Sequence, residues 1–134
     1  MALASGGRKT KWKQPARICR GAARAARLGD GWNPAGLPLD AMAQMFSSIK
    51  QMAAAAGRDP ARLEMAVRAN LQLTEKPLGK DRRAFTGTLD QIKEDTAACR
   101  AIGAHEVHFA PGSGRGSDTV EGWLWLMEQL RPFV

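Results

Sequence analysis

The chain has 134 residues, 44% hydrophobic and 25% charged, which predicts one globular domain and is too short for a closed (β/α)8 barrel of about 250 residues. Its net charge of +7 is confined to the start, because residues 1–29 hold eight Lys/Arg and no acid, whereas the remainder holds twelve against thirteen acids. The near-neutral remainder argues against nucleic-acid binding over the whole surface, and no apolar run approaches the roughly 20 residues of a membrane helix.

The first 21 residues are predicted to be a basic arm separate from the domain at 22–134. Residues 1–20 show no hydrophobic period, and their scattered charges favour disorder. Within the arm, charge surrounds one aromatic ring, at Lys9, Lys11, Trp12 and Lys13. This combination would suit nucleic acid or an acidic partner, so a small basic-armed binding protein is the alternative function.

Cysteine usage points to a reducing compartment. Cys19 and Cys99 are far apart and form no CxxC pair, which excludes a disulfide framework and metal-binding cysteine spacing. Cys99 falls on the apolar stripe of a predicted helix, where a small buried thiol is the ordinary interpretation. We therefore expect a cytoplasmic location.

Two helices are predicted in the first half of the chain. The Ala/Arg pattern from Gly21 to Leu28 is helical, and Gly29 is a natural end. A short extended piece and a turn occupy residues 31–36. The second helix runs from about Leu39 to Ala56, and its core stripe recurs every three or four residues, at Leu39, Met42, Met45, Phe46, Ile49, Met52 and Ala53.

Strict alternation from Leu63 to Leu73 predicts a strand. The odd positions are apolar, and the even positions are Glu64, Ala66, Arg68, Asn70 and Gln72. Such a strand has one apolar and one polar side. The pattern leaves open whether the polar side faces water or the interior of a barrel near its active end.

The second half is predicted to hold two helices and one short strand. Thr88 with Gln91 matches a capping box, and the helix that follows to about Ile102 turns inward Leu89, Ile92, Cys99 and Ile102. Residues 105–109 form a strand, and residues 111–117 a flexible loop. The last helix, from about Asp118 to Leu130, has a predicted core stripe of Val120, Trp123, Leu124, Met127 and Leu130.

The alternation of helices and strands predicts an α/β fold of parallel units. The chain would supply about three parallel strands and four helices, which is part of a (β/α)8 TIM barrel. Two strand edges would remain unpaired, so self-association through them is expected.

Four motifs in matching order and spacing resemble the luciferase-like monooxygenase family, whose members are (β/α)8 barrels that use FMN or a deazaflavin coenzyme. The resemblance covers residues 22–131 and rests on Ala22–Pro34 (AARAARLGDGWNP), Ala56–Pro60, Thr86–Ile92 and Ala101–Phe109. Leu89 stands where the family has proline, which is harmless at a first helical position. The family implies a flavin- or deazaflavin-dependent oxidoreductase, with a small-molecule substrate and no membrane.

The residues before position 22 depart from the family. An apolar strand of the type PIWVGG is expected there, but residues 14–20 are basic. The resemblance therefore implies a chain without the first five or so barrel strands, which build most of the flavin and substrate pocket in the family. We expect a C-terminal segment with little or no turnover, preceded by unrelated residues such as a shifted reading frame would produce.

Two stretches fall at strand C-terminal ends, where barrel enzymes place their active sites. The first comprises Asp30, Gly31, Trp32 and Asn33. Trp32 would wall the cofactor pocket and Asn33 would donate a hydrogen bond, unless the tryptophan is core and the asparagine a turn residue. The second comprises Gly112, Ser113, Gly114 and Arg115, which with the Ser117 hydroxyl would bind an anion, unless the loop is a plain connector.

The sequence predicts no metal site. His105 and His108 are three residues apart on a strand and point to opposite faces, so they cannot share one ion. Catalytic residues are not identified, because no Ser/His/Asp or Cys/His arrangement is visible and the family's chemistry is carried by its cofactor.

Overall fold

The structure, a computed structural model, describes residues 16–112 and 118–133. Its helices are α1 (Ala16–Leu28), α2 (Leu39–Ala55), α3 (Leu89–Ala101) and α4 (Val120–Leu130), and its strands are β1 (Gly31–Trp32), β2 (Glu64–Leu73), β3 (Thr86–Gly87) and β4 (Glu106–Pro111). Short 3-10 helices follow α2 at Pro60–Arg62 and α4 at Arg131–Phe133. Within the described ranges, no helix has the length and apolar content to cross a bilayer.

The sheet is built around β2, and all of its pairings are parallel. The N–H groups of Glu64 and Gln72 donate to the backbone carbonyls of Asp30 and Phe85. Because alternate residues of a strand direct their N–H groups to the same edge, β1 and β3 lie one after the other along a single edge of β2. On the opposite edge, β4 pairs with residues 66–71. The predicted α/β fold of a partial barrel is confirmed. The dipeptide β3 was not predicted, because two residues carry no periodic signal.

The apolar side of β2 forms the centre of the core. Its residues alternate as predicted, and the odd positions from 63 to 73 are all buried. They share one cluster with Met42, Met45 and Ile49 of α2 and with Ile92 and Cys99 of α3. Among the residues that the structure describes, the helices therefore cover one face of the sheet and leave the polar face of β2 uncovered.

The boundary of α1 differs from the prediction. The helix begins at Ala16 rather than Gly21, so residues 16–20 are helical and not part of a disordered arm. The charges that suggested disorder recur at helical spacing, at Arg17, Arg20, Arg24 and Arg27. A stripe of arginines along a helix is compatible with an opposite apolar side, and Ala22 and Ala26 are buried there.

The turn after α2 fixes the end of α1. Arg58 donates through one guanidinium nitrogen to the Ala26 carbonyl at 2.8 Å and the Ala25 carbonyl at 3.4 Å. The Ala26 carbonyl lies in the last turn of α1, where no helical N–H follows to satisfy it, whereas the Ala25 carbonyl also accepts the Gly29 N–H at 3.0 Å. Two of the sequence motifs, the end of α1 and the Ala56–Pro60 turn, are thus parts of one contact.

The predicted core stripe of α4 is confirmed at Leu130 and wrong at most of its other positions. Leu126 and Leu130 are buried, whereas Val120, Leu124 and Met127 are 71%, 57% and 63% exposed. Periodicity identified an apolar face correctly, but the sheet reaches only the neighbouring face of the helix. Most of the stripe is therefore left uncovered in the described residues.

The buried Cys99 gives a stability test. Burial raises the pKa of its thiol from 9.0 to about 11, and the Asp95 carboxylate adds to this shift. Since the unfolded thiol ionises first, the stability from this group is full below about pH 9 and is lost as the pH rises towards about 11. Denaturation of a Cys19→Ser variant is expected to show this alkaline loss, and Cys99→Ala is expected to reduce it. In the Cys19→Ser variant, the Cys99 thiol should react with Ellman's reagent only after unfolding. Rapid reaction of the folded variant would contradict the burial of Cys99.

Candidate functional site

A cavity of about 350 Å³ lies at the C-terminal end of the sheet. Its walls come from the second half of β2 and from the segments that follow β1, β2 and β4. Its lining includes Gly36, Leu37, Arg68, Asn70, Gln72, Arg82, Arg83, Phe85 and Gly112. Parallel α/β folds place their ligands at this end of the strands.

The polar floor of the cavity consists of even positions of β2. Arg68 and Asn70 are exposed, and Gln72 is half-buried. The strand's alternation turns these side chains away from the helices, towards the uncovered face of the sheet. A guanidinium and two amides provide donors for an anionic or oxygen-rich ligand.

One wall is the β2–α3 loop, which a buried ion pair fastens to α3. Arg82 donates hydrogen bonds from both of its terminal nitrogens to the Asp95 carboxylate, at 2.6 and 3.0 Å. Asp95 also accepts the Phe85 N–H at 2.7 Å. The hydrogen bond between Arg82 and Asp95 raises the pKa of the Arg82 guanidinium, although burial of the guanidinium acts to lower it. The geometry is the bidentate one that makes arginine–carboxylate pairs specific.

The same loop is held a second time by Gln91, the capping residue of α3. The capping box predicted from Thr88 and Gln91 is confirmed. The Gln91 amide also forms a pair of hydrogen bonds with the backbone of Leu78, at 2.8 and 3.0 Å. Gly87, with a φ of +126°, lies against this amide, and the space that a Cβ would need is occupied by the Gln91 side chain. The wall is therefore attached to α3 at both of its ends.

Residues Asp30 to Asn33 do not line this cavity. Trp32 stacks on Phe46 of α2, with ring centroids 6.4 Å apart, and so lies on the helix side of the sheet. Asn33 donates to the Ala66 carbonyl of β2 at 2.6 Å. Asp30 is exposed, and Gly31 approaches Glu64 so closely that a Cβ would lie 2.6 Å from its carbonyl oxygen. These residues hold β1 against β2, which positions the lining segment that begins at Gly36.

Gly112 does line the cavity, opposite the segment after β1. Its N–H donates to the Leu71 carbonyl at 2.9 Å, and a Cβ at this position would meet that same oxygen. Ser113, Gly114, Arg115 and Ser117 lie outside the described residues. The structure thus brings one predicted site residue to the cavity and leaves the rest of the loop undescribed.

Sequence reasoning missed the most polar side chains of the cavity as site residues. The signal for Arg68, Asn70 and Gln72 was present in the even positions of the alternating strand, which the pattern left open. No local signal marks Arg82, because its partner Asp95 lies thirteen residues away on a helix whose capping box and apolar positions do not single out Asp95.

The two histidines make separate contacts. His108 lies 2.9 Å from Glu106 on the uncovered face of β4. The Nδ1 atom of His105 instead accepts the Met65 N–H at 3.2 Å, which ties the start of β4 to β2. Among the described residues, no three side chains of metal-binding type come together.

Comparison with known proteins agrees with the resemblance. Residues 17–78 match the model of the luciferase-like monooxygenase family. The match includes all but the first residue of α1 and the whole of β1, α2 and β2, and it begins within the stretch predicted to be the arm. No curated protein matches the chain. The matched segment is thus similar to part of a luciferase-like monooxygenase.

Proposed function

We propose, from the match of residues 17–78 to the luciferase-like monooxygenases, that this chain is the late-strand portion of a flavin- or deazaflavin-dependent oxidoreductase. Its cavity at the C-terminal end of β2 would form part of the cofactor and substrate pocket. The observation that carries the proposal is the set of donors on β2, since a segment from this family presents Arg68, Asn70 and Gln72 at the end of the sheet where ligands bind.

The residues of the cavity fit one end of such a cofactor. Arg68 and Arg83 supply positive charge for a phosphate, and the amides of Asn70 and Gln72 suit the hydroxyl groups of a sugar-like chain. The volume of about 350 Å³ is near the lower end of small-molecule pockets, which supports a partial rather than a complete site. Gly112 borders this region, and we extend the proposed anion contact to Ser113, Gly114 and Arg115.

The roles of this chain's residues are binding and positioning. A bound flavin or deazaflavin supplies the hydride chemistry, and in oxygenating members the reaction with oxygen. Arg68 attracts the anionic end of the cofactor, and the loop held by Asp95 limits the access of water on one side. Residues Asp30 to Asn33 act indirectly, because they hold β1 where its following segment reaches the cavity.

We further propose that the chain alone has little or no turnover. In the described residues the sheet has four strands and does not close on itself, so the uncovered polar face stays open to water. Barrel oxidoreductases depend on a dry pocket for productive cofactor chemistry. The cytoplasm, where Cys99 would remain the free thiol described above, is the proposed location.

Cofactor titration of the full chain tests this proposal. FMN and a deazaflavin coenzyme are expected to bind weakly, with modest fluorescence quenching, and Arg68→Ala should weaken binding about tenfold, the typical value of one hydrogen bond to a charged group. Arg62→Ala is the matched control, since Arg62 is an exposed arginine that lies just before the N-terminal end of β2, away from the cavity. Equal effects of the two substitutions, or robust cofactor-dependent oxidation by the chain, would contradict the proposal.

A truncation separates this function from the predicted nucleic-acid arm. Because α1 begins at Ala16, residues 1–15 are removed, which leaves the helix whole. Cofactor binding is expected to be unchanged by this deletion. Retardation of nucleic acid by the full chain, with a steep salt dependence that the deletion abolishes, would favour the binding-protein alternative.

A further inference from the structure

The outer edge of β4 offers an unpaired ladder. Within the described residues, β4 pairs with β2 alone. His105 donates its N–H to the Met65 carbonyl, so this residue and its alternate neighbours face β2. The backbone groups of Glu106, His108 and Ala110 therefore point to the outer edge. An accessible strand edge of this kind is a template for another strand.

A carboxylate and an imidazole lie close together along this edge. Glu106 and His108 lie on the uncovered face, are 68% and 58% exposed, and approach each other within 2.9 Å. When a strand pairs with an antiparallel copy of itself, two residues that are two positions apart can lie opposite each other, so the carboxylate of each copy can meet the imidazole of the other. Cross-strand neighbours on one face are the pairs that select such a register.

The helix side next to this edge is apolar. A groove of about 670 Å³ lies between the end of β4 and α4, with Phe109, Pro111, Leu124 and Met127 in its walls. Phe109 is in register with Ala69, a core position of β2, so the groove lies on the helix side of the sheet. The edge and the groove thus form one continuous surface, polar on one face and apolar on the other.

We propose that this surface docks a second copy of the chain, with β4 pairing antiparallel to β4 about a two-fold axis at Val107. In this register, Glu106 of each copy lies opposite His108 of the other, so the attractive pair occurs twice. The register centred on His108 would instead place the two histidines opposite each other. Because strand addition continues the helix layer beside the sheet, it also brings apolar side chains of the second copy towards the α4 groove.

The carboxylate–imidazole pattern is what selects a second copy as the occupant. An unrelated partner would have to supply its own complement to Glu106 and His108, whereas this strand already carries both members in the required spacing. Burial of the groove then adds hydrophobic stabilisation to the backbone pairing. The expected assembly is a closed dimer, because a two-fold pairing uses the same edge on both copies.

Charge exchange tests the register. In sedimentation equilibrium, the full chain is expected to show a concentration-dependent dimer, and His108→Glu should weaken it about tenfold because Glu106 then faces a carboxylate twice. Glu106→Lys should also weaken the dimer. The double variant, E106K with H108E, recreates both attractive pairs and is expected to restore dimerisation. Both sites are exposed, so circular dichroism should report an unchanged fold.

Two further variants keep the test decisive. His108→Pro removes an outward N–H without touching a bond to β2 and is expected to give a monomer, whereas His108→Ala keeps that N–H and should retain more dimer. Leu124→Gln, in the apolar groove, should weaken the dimer without affecting the fold. A monomer at every concentration, or a dimer that H108E leaves intact or that the double variant fails to restore, would overturn the proposal.

Discussion

Replacement of Asp95 with alanine is expected to destabilise the protein by about 3–5 kcal/mol, the usual cost of removing one member of a buried ion pair. The side chains of Arg82 and Asp95 are only 13% and 11% exposed, so the guanidinium would be left largely desolvated and without its carboxylate. The Phe85 N–H would lose its acceptor as well. Chemical denaturation followed by circular dichroism measures the change.

A double variant separates loss of the pair from loss of packing. Arg82→Met combined with Asp95→Leu removes both charges and retains apolar volume, so its cost should be well below the sum of the two single costs. Asp95→Asn should lie between wild type and Asp95→Ala, because its amide oxygen can still accept the Phe85 N–H. Additive single effects would show that the two side chains do not act as one unit.

Introducing an acid at Val67 is expected to have the largest effect of a single substitution on β2. Val67 is fully buried among the helices, and a carboxylate there would have no partner. We expect Val67→Asp to cost more than about 4 kcal/mol, the exceptional range associated with an unpaired buried charge. Loss of the cooperative thermal transition is the readout.

The adjacent residue supplies the matched control. Arg68 follows Val67 on the same strand but faces the uncovered side, where it is exposed. Arg68→Asp should therefore change stability by less than about 1 kcal/mol while reducing the affinity for an anionic cofactor. Comparable destabilisation by both substitutions would mean that the assignment of the two faces is incorrect.

Elements with a strong local period could be predicted from the sequence. The core stripe of α2, except for Met52, which is exposed, and the alternation of β2 follow from burial of one face. Such burial leaves a period of about 3.6 or 2 residues in any chain that folds this way. The capping box at Thr88 was equally local, because both partners lie within one helical turn. In each case the residues that carry the signal also make the contact.

Features that depend on distant partners could not be predicted. The start of α1 was obscured because the arginines along its exposed side resemble a disordered basic segment. The stripe of α4 showed that Leu124 and Met127 share an apolar face, but not that the sheet stops short of it. The Arg82–Asp95 pair joins a loop to a helix, and nothing in either segment alone specifies the other.

Because β1 and β3 lie one after the other along one edge of β2, the shape of the cavity can change without a change in the pairing of the strands. Along that edge, β1 pairs with the N-terminal end of β2, and the dipeptide β3, which immediately precedes α3, pairs with the C-terminal end. A shorter or longer loop between Leu78 and Arg82 would therefore alter the rim of the cavity while its anchors on Gln91 and Asp95 stayed in place. This makes the β2–α3 loop the natural position for diversifying ligand selectivity by design, since variation there leaves every strand register unchanged.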